Sequence, residues 1–342
     1  MTTRTPTPLP NLIACLESYI NPALPIGTSL SNDPSAPALH ILPSSTLSKL
    51  KNVGPARAKD MRSLGHSRQI LSHIPVPANA TACAKFNDAL YASIQLNSEK
   101  LEALAMLPAN DGREAARELA RCVGKGRFVG GVLGVGTGGV GLLDEGFEEV
   151  WSVAEKYRVP VVLREMWPSS AELAEYQAGL ADTMLAPVAT HMHTAHNHSP
   201  LKILHLYLSS VFDRHPNLRL IISHPGLLPS LLPRIEAILD QIPAADKPKR
   251  PYLDVWQHNF YLTTTDVLDI STMRTLLEQI PIDRVLYVSN YPLEERGREI
   301  MDELKDSGFL TNEEWERVAW KNAELLFNLK NSGSKGGSAK RM

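Results

Sequence analysis

The feature that most constrains this chain is the alternation of short apolar runs with longer amphipathic segments. The runs are Leu12–Leu16, Gln69–Ile74, Ala103–Leu107, Phe128–Leu133, Val161–Leu163, Leu220–Ser223, Phe260–Thr263 and Arg284–Ser289. Most are rich in Val, Ile and Leu without strict polar alternation, as expected of strands covered on both faces. Helical periodicity marks Ala82–Gln95, Arg113–Val123, Phe147–Tyr157, Leu201–Asp213, Leu227–Gln241, Thr272–Gln279, Arg298–Asp306 and Asn312–Asn328. Thr311 followed by Glu314 forms a capping-box pattern before the last of these. Eight strands with helices between them predict an α/β fold, a single (β/α)8 TIM barrel, with a doubly wound open sheet as the alternative. The segment between the first two runs reads as loop-rich.

Length supports one domain, since 342 residues with 43% hydrophobic content suffice for one large barrel. The expected limits are a disordered tail over 1–11, the barrel over 12–330, and a disordered Gly/Ser/Lys tail over 331–342. A net charge of −2 gives no footprint for a polyanion, so no nucleic-acid partner is expected. No run is long and apolar enough to span a bilayer, and no secretory signal is recognisable, so the expectation is no membrane association and a cytoplasmic location. Three widely spaced cysteines, Cys15, Cys83 and Cys122, form neither a zinc spacing nor a disulfide framework.

Several segments carry more specific information. Phe212-Asp-Arg-His-Pro-Asn-Leu-Arg-Leu-Ile-Ile-Ser-His224 resembles the sixth-strand signature of the amidohydrolase-related family, in the branch of salicylate-, resorcylate- and 2,3-dihydroxybenzoate-type decarboxylases. His258-Asn-Phe-Tyr-Leu-Thr-Thr-Thr265 resembles that branch's seventh strand, and Asp283-Arg-Val-Leu-Tyr-Val-Ser-Asn-Tyr-Pro-Leu-Glu294 its eighth. Asn322-Ala-Glu-Leu-Leu-Phe327 resembles the closing helix, and Ile13-Ala-Cys-Leu-Glu-Ser-Tyr-Ile-Asn-Pro22 the first strand. A second first-strand alignment, on Ala38-Leu-His-Ile-Leu-Pro43, would offer His40.

The resemblance implies a divalent metal at the barrel mouth, held from strands one, five and eight. The matching positions here are Leu16 and Ser18, Arg164, and Asn290, and the glutamate that usually follows the strand-six histidine is Leu227. Leucine has no lone pair, arginine is a permanent cation and a neutral amide is a poor ligand for a divalent ion. His224 alone remains of the implied polar set, so the expectation is no metal and no cofactor.

Arg164, His224 and Asn290 are therefore the candidate catalytic residues. Arg164 could grip a carboxylate or phenolate through its fork, or simply pair with Glu165 and plug the mouth. His224 could act as general acid or base, or be a hydrogen-bonded strand residue. Asn290 cannot carry a proton but can donate to an oxyanion. Ser18, Trp167 and Asp266 are candidate substrate contacts; Asp266 also reads as a helix N-terminal residue, and Trp256 as either pocket or packing. The histidine-rich stretch 190–198 reads as a loop covering the substrate, with adventitious metal binding and then a catalytic metal site as the alternatives. The glycine run 130–141 reads as a loop after the fourth strand and lacks the helix a dinucleotide fingerprint requires.

The implied activity is carboxy-lyase-like, on a small hydroxylated aromatic or polyketide-derived acid and without a metal. The alternatives are a metal-free isomerase, cyclase or dehydratase, or an inactive binding homologue. Family analogy also implies a homo-oligomer.

Overall fold

The computed structural model describes residues 11–24, 36–96, 100–136, 142, 145–177, 179–197, 200–226, 228–294 and 297–329. The two terminal tails, much of the loop from Gly27, Leu227, His198 and the end of the glycine run lie outside the described residues.

Eight strands form one parallel sheet in sequential order: β1 (Leu12–Tyr19), β2 (His66–His73), β3 (Leu101–Leu107), β4 (Phe128–Val135), β5 (Val161–Glu165), β6 (Leu220–Ile222), β7 (Phe260–Thr263) and β8 (Val285–Leu286). The sequential order excludes the open-sheet alternative, in which strand order reverses at a switch point. The seam between the last and first strands is held by Cys15 N–H to Tyr287 O at 2.9 Å and Ser18 N–H to Tyr291 O at 2.8 Å. Every predicted run contains or overlaps a strand.

The helices are α1 (Ser44–Lys51), α2 (Pro55–Ser63), α3 (Ala80–Gln95), α4 (Gly112–Val123), α5 (Glu145–Tyr157), α6 (Ser170–Gln177), α7 (Asp182–Asn197) and α8 (Pro200–Leu208). They continue as α9 (Val211–Arg214), α10 (Leu232–Leu239), α11 (Tyr252–Asn259), α12 (Ile270–Gln279), α13 (Gly297–Asp306), α14 (Asn312–Glu316) and α15 (Asn322–Phe327). The expected helix over 201–213 is broken at Ser210, whose φ of 60° is left-handed and ends the α-helical ladder. The expected loop between the first two strands instead contains α1 and α2. Arg57 of α2 is buried, because its guanidinium donates to Gln69 Oε1 and Ser18 O behind the sheet.

Period-two alternation sorts the strand residues into two apolar clusters. One holds Ile13, Ile70, Leu104, Val132, Val162, Ile221 and Leu286; the other holds neighbours such as Leu12, Leu71, Ala103, Leu133, Val161 and Leu163. The first lines the barrel interior and the second faces the helices, where both faces exclude water. Arg164 shares the parity of Val162, so its side chain is directed inward at the end of β5.

Half of the glycine run is strand rather than loop. Gly130, Gly131 and Gly134 lie in β4, and a Cβ at Gly130 would stand 2.5 Å from Pro160 O. Glycine is needed there because the neighbouring backbone approaches too closely for any side chain.

Candidate active site

The C-terminal ends of β1, β5, β6 and β8 bring Ser18, Arg164, His224 and Asn290 to one mouth of the barrel. This is the face at which barrel enzymes place their chemistry. Arg164, His224, Asn290 and Trp167 line a common cavity of about 20 Å³, closed by Ala189 and Thr190 of α7 and by Leu293 after β8. That volume admits about one water molecule.

Arg164 is buried, and its Nη2 donates to Ser18 Oγ at 2.9 Å. Its Nη1 is buried without a hydrogen-bond partner, as is the indole Nε1 of Trp167. Burial lowers the Arg164 guanidinium to about 10, while the charges of Glu17 and Glu165 oppose the shift. The charge of Glu165 thus acts on Arg164, whose Nη2 donates to Ser18.

Glu17, to which the sequence reading assigned no role, is the keystone behind this site. Its carboxylate accepts from Ser289 N–H at 2.9 Å, Ser289 Oγ–H at 2.8 Å and Tyr291 N–H at 2.7 Å. Those anchors bracket Asn290, whose φ of 57° turns it into the left-handed region at the cavity wall. Complete burial raises the Glu17 carboxyl to about 7 against the pull of these donors and Arg57. A bulge in β1 between Ala14 and Glu17, with Leu16 at a φ of 61°, re-aims the strand end toward β8. A lone glutamate in an apolar strand was the available signal.

His73 was also missed. It ends β2, stacks on Phe86 and is hydrogen-bonded on both nitrogens, to Ile74 O and from Asn21 N–H. Burial and Arg164 lower it to about 4 against the pull of the Ile74 bond, so it is a fixed neutral support.

Other expectations are corrected. Asp266 is neither a helix cap nor a cavity residue: it accepts from Gly226 N–H at 2.8 Å, tying the loop after β6 to that after β7, and Asp269 caps α12. Trp256 packs in the outer core with its indole donating to Gln279 O. His40 sits in a short 3-10 turn outside the sheet, which removes the second first-strand alignment. The histidine-rich stretch is helical rather than a loop, since it belongs to α7, where His191 pairs with Glu294 at 2.8 Å. The side chains of His193 and His196 lie outside the described residues.

The residues at the mouth do not fit a divalent metal. Ser18 and Arg164 are bonded to each other, Asn290 is a neutral amide, and Glu17 is saturated by three donors. No group of three or more His, Cys, Asp or Glu side chains suited to a metal occurs among the described residues.

An eight-stranded parallel barrel whose inward polar residues gather at the C-terminal mouth is the architecture of a barrel enzyme. The Amidohydrolase family profile matches residues 54–329, and the chain belongs to that family. Decarboxylase orsB of Emericella nidulans is 32% identical over 82% of this chain and 87% of its own length. A gamma-resorcylate decarboxylase of Rhodococcus jostii is 27% identical over 71% of this chain and 75% of its own. The fold also matches a dihydroxybenzoic acid decarboxylase of Polaromonas sp., solved with bound manganese and 2-nitroresorcinol, at a TM-score of 0.71, 23% identity, and coverage of 93% of this chain and 97% of that one. No helix among the described residues is long and apolar enough to cross a membrane.

Proposed function

We propose that the chain is a carboxy-lyase that removes carbon dioxide from a small hydroxylated aromatic acid, using side chains in place of a metal. The observation that carries this reading is the unpartnered Arg164 Nη1, buried beside His224, Asn290 and the equally unpartnered Trp167 N–H. Buried donors without partners are costly. A carboxylate between them satisfies both, and the guanidinium neutralises its charge. The names of the curated relatives, decarboxylases of hydroxylated benzoic acids among them, support the same class.

In this reading Arg164 and Trp167 hold the carboxylate and fix the ring. Protonated His224 then delivers its proton to the ring carbon that bears the carboxylate, forming a C–H bond. The neighbouring hydroxyl oxygen takes carbonyl character and positive charge while keeping its proton, and its O–H donates to the Asn290 amide oxygen. The ring–carboxylate bond breaks, its electron pair restores the aromatic ring, carbon dioxide leaves, and His224 is reprotonated from solvent. Glu17 positions Asn290 without touching substrate. The cavity is too small for a benzoic acid, so α7 and the segment around Leu293 have to move apart for entry.

The test is incubation of the chelator-treated protein with a panel of ortho- and para-hydroxybenzoic acids, following carbon dioxide release and product mass. Decarboxylation that survives chelation and is lost in Arg164→Ala supports the proposal. A product of unchanged mass, or activity that appears only with added divalent metal, overturns it.

A further inference from the structure

Beside the small polar cavity lies a second space of about 360 Å³, at the ends of β2 to β5. Its walls are Pro77, Ala78, Ala109, Val135 and Leu142, with Met166 as the wall shared with the cavity of Arg164. No charged side chain is among its described lining residues, and Asn79, one of its polar residues, is committed to capping α3 through Ala82 N–H. The volume lies within the range of ordinary ligand sites, whereas the Arg164 cavity alone falls far below it.

Two glycines of β4 and its extension shape this space. At Gly134 an added Cβ would meet Met166 Cγ at 3.0 Å, so glycine lets Met166 lie against the strand as a partition. At Gly136 an added Cβ would meet nothing within 4 Å, so that position opens onto free space. The partition is a thioether chain, the most adaptable of apolar side chains.

We infer that this second space is a subsite for an apolar substituent on the aromatic ring. The acid's carboxylate points at Arg164, and a carbon arm of several atoms passes Met166 into the pocket between the ends of β3 and β4. The inference rests on the proposed decarboxylase reading and names its substrate class: an alkyl-bearing hydroxybenzoic acid rather than the bare ring. Such an arm gains affinity by leaving water, at about fourfold per methylene.

The experiment is calorimetric titration of the full chain with product analogues, namely resorcinol and its methyl, propyl and pentyl derivatives at ring positions 4 and 5. Affinity for the better isomer is expected to rise about fourfold per methylene, to on the order of a hundredfold between methyl and pentyl. Gly136→Leu should abolish that rise and leave bare resorcinol binding unchanged; Ala109→Phe fills the pocket from the β3 side and should do the same. Equal affinity for resorcinol and its pentyl derivative, or a rise that both filling variants retain, overturns the subsite. Since binding is read directly, a chain-length gain that both variants remove upholds the subsite even when no acid of the panel loses carbon dioxide.

Discussion

Replacing Glu17 by alanine tests how the candidate site is held. The carboxylate is completely buried and receives three donors, two of them backbone N–H groups of Ser289 and Tyr291. Leaving those N–H groups unmet costs roughly 1–3 kcal/mol each, and loss of the desolvated charge offsets part of it, for a net loss of about 2 kcal/mol at pH 7.5. The sharper signature is the pH dependence. The Glu17 carboxyl is raised from 4.5 to about 7, so the fold holds that proton more tightly than the unfolded chain. Its contribution is complete below pH 4.5 and is lost as pH rises through 7.

His66 and His73 act in the opposite sense. Burial lowers them to about 3 and about 4, so the unfolded chain takes up protons from pH 6.5 downward while the fold does not. Between pH 7.5 and 5 these two imidazoles remove about 4 kcal/mol and Glu17 returns about 2. The wild type should therefore lose about 2 kcal/mol over that interval and Glu17→Ala about 4. Urea midpoints at the two pH values measure the difference, and equal slopes for the two proteins would refute the assignment. Because Asn290 sits between the two anchors, the variant should also lose kcat more than KM. Full activity in a destabilised variant would limit Glu17 to a structural role.

Other outcomes follow from the same geometry. Arg164→Lys should weaken binding of benzoate ligands by at least tenfold, because a point charge replaces the fork that reaches both Ser18 and the cavity; titration calorimetry reads this, and unaltered affinity counts against a carboxylate site. Trp167→Phe keeps the apolar wall but removes the unpartnered N–H, for an expected loss of about fivefold in ligand affinity, equivalent to about 1 kcal/mol. Elemental mass spectrometry of untagged protein purified without chelators should find less than stoichiometric divalent metal; one tightly held ion per chain would require a donor set other than the one at this mouth. Glu294→Gln weakens the His191 pairing that ties α7 to the segment after β8, and should speed ligand association read by stopped flow.

The sequence by itself determined the barrel. Strands buried on both faces need uninterrupted apolar runs, and parallel strands need helices between them, so the runs from Leu12 to Leu286 and the helices between them are encoded locally. It also marked Arg164 and Asn290, whose types depart from long motifs at strand ends whose place in a barrel is fixed, and His224, which keeps the residue its motif implies there. What only the tertiary structure decided is what each polar group touches. The roles of Glu17 and His73 are not encoded locally, even though Glu17 stands out as a lone glutamate in an apolar strand, because their partners at Ser289, Tyr291 and Asn21 come from the seam and from a neighbouring loop. Asp266 and Trp256 have the composition of site residues, yet one holds a loop and the other fills the outer core. Local pattern encodes burial and periodicity, which depend on neighbours in the chain. A hydrogen bond such as the one from Arg164 to Ser18 joins residues of β5 and β1, four strands apart in the order, and only closure of the barrel brings them within reach across its mouth.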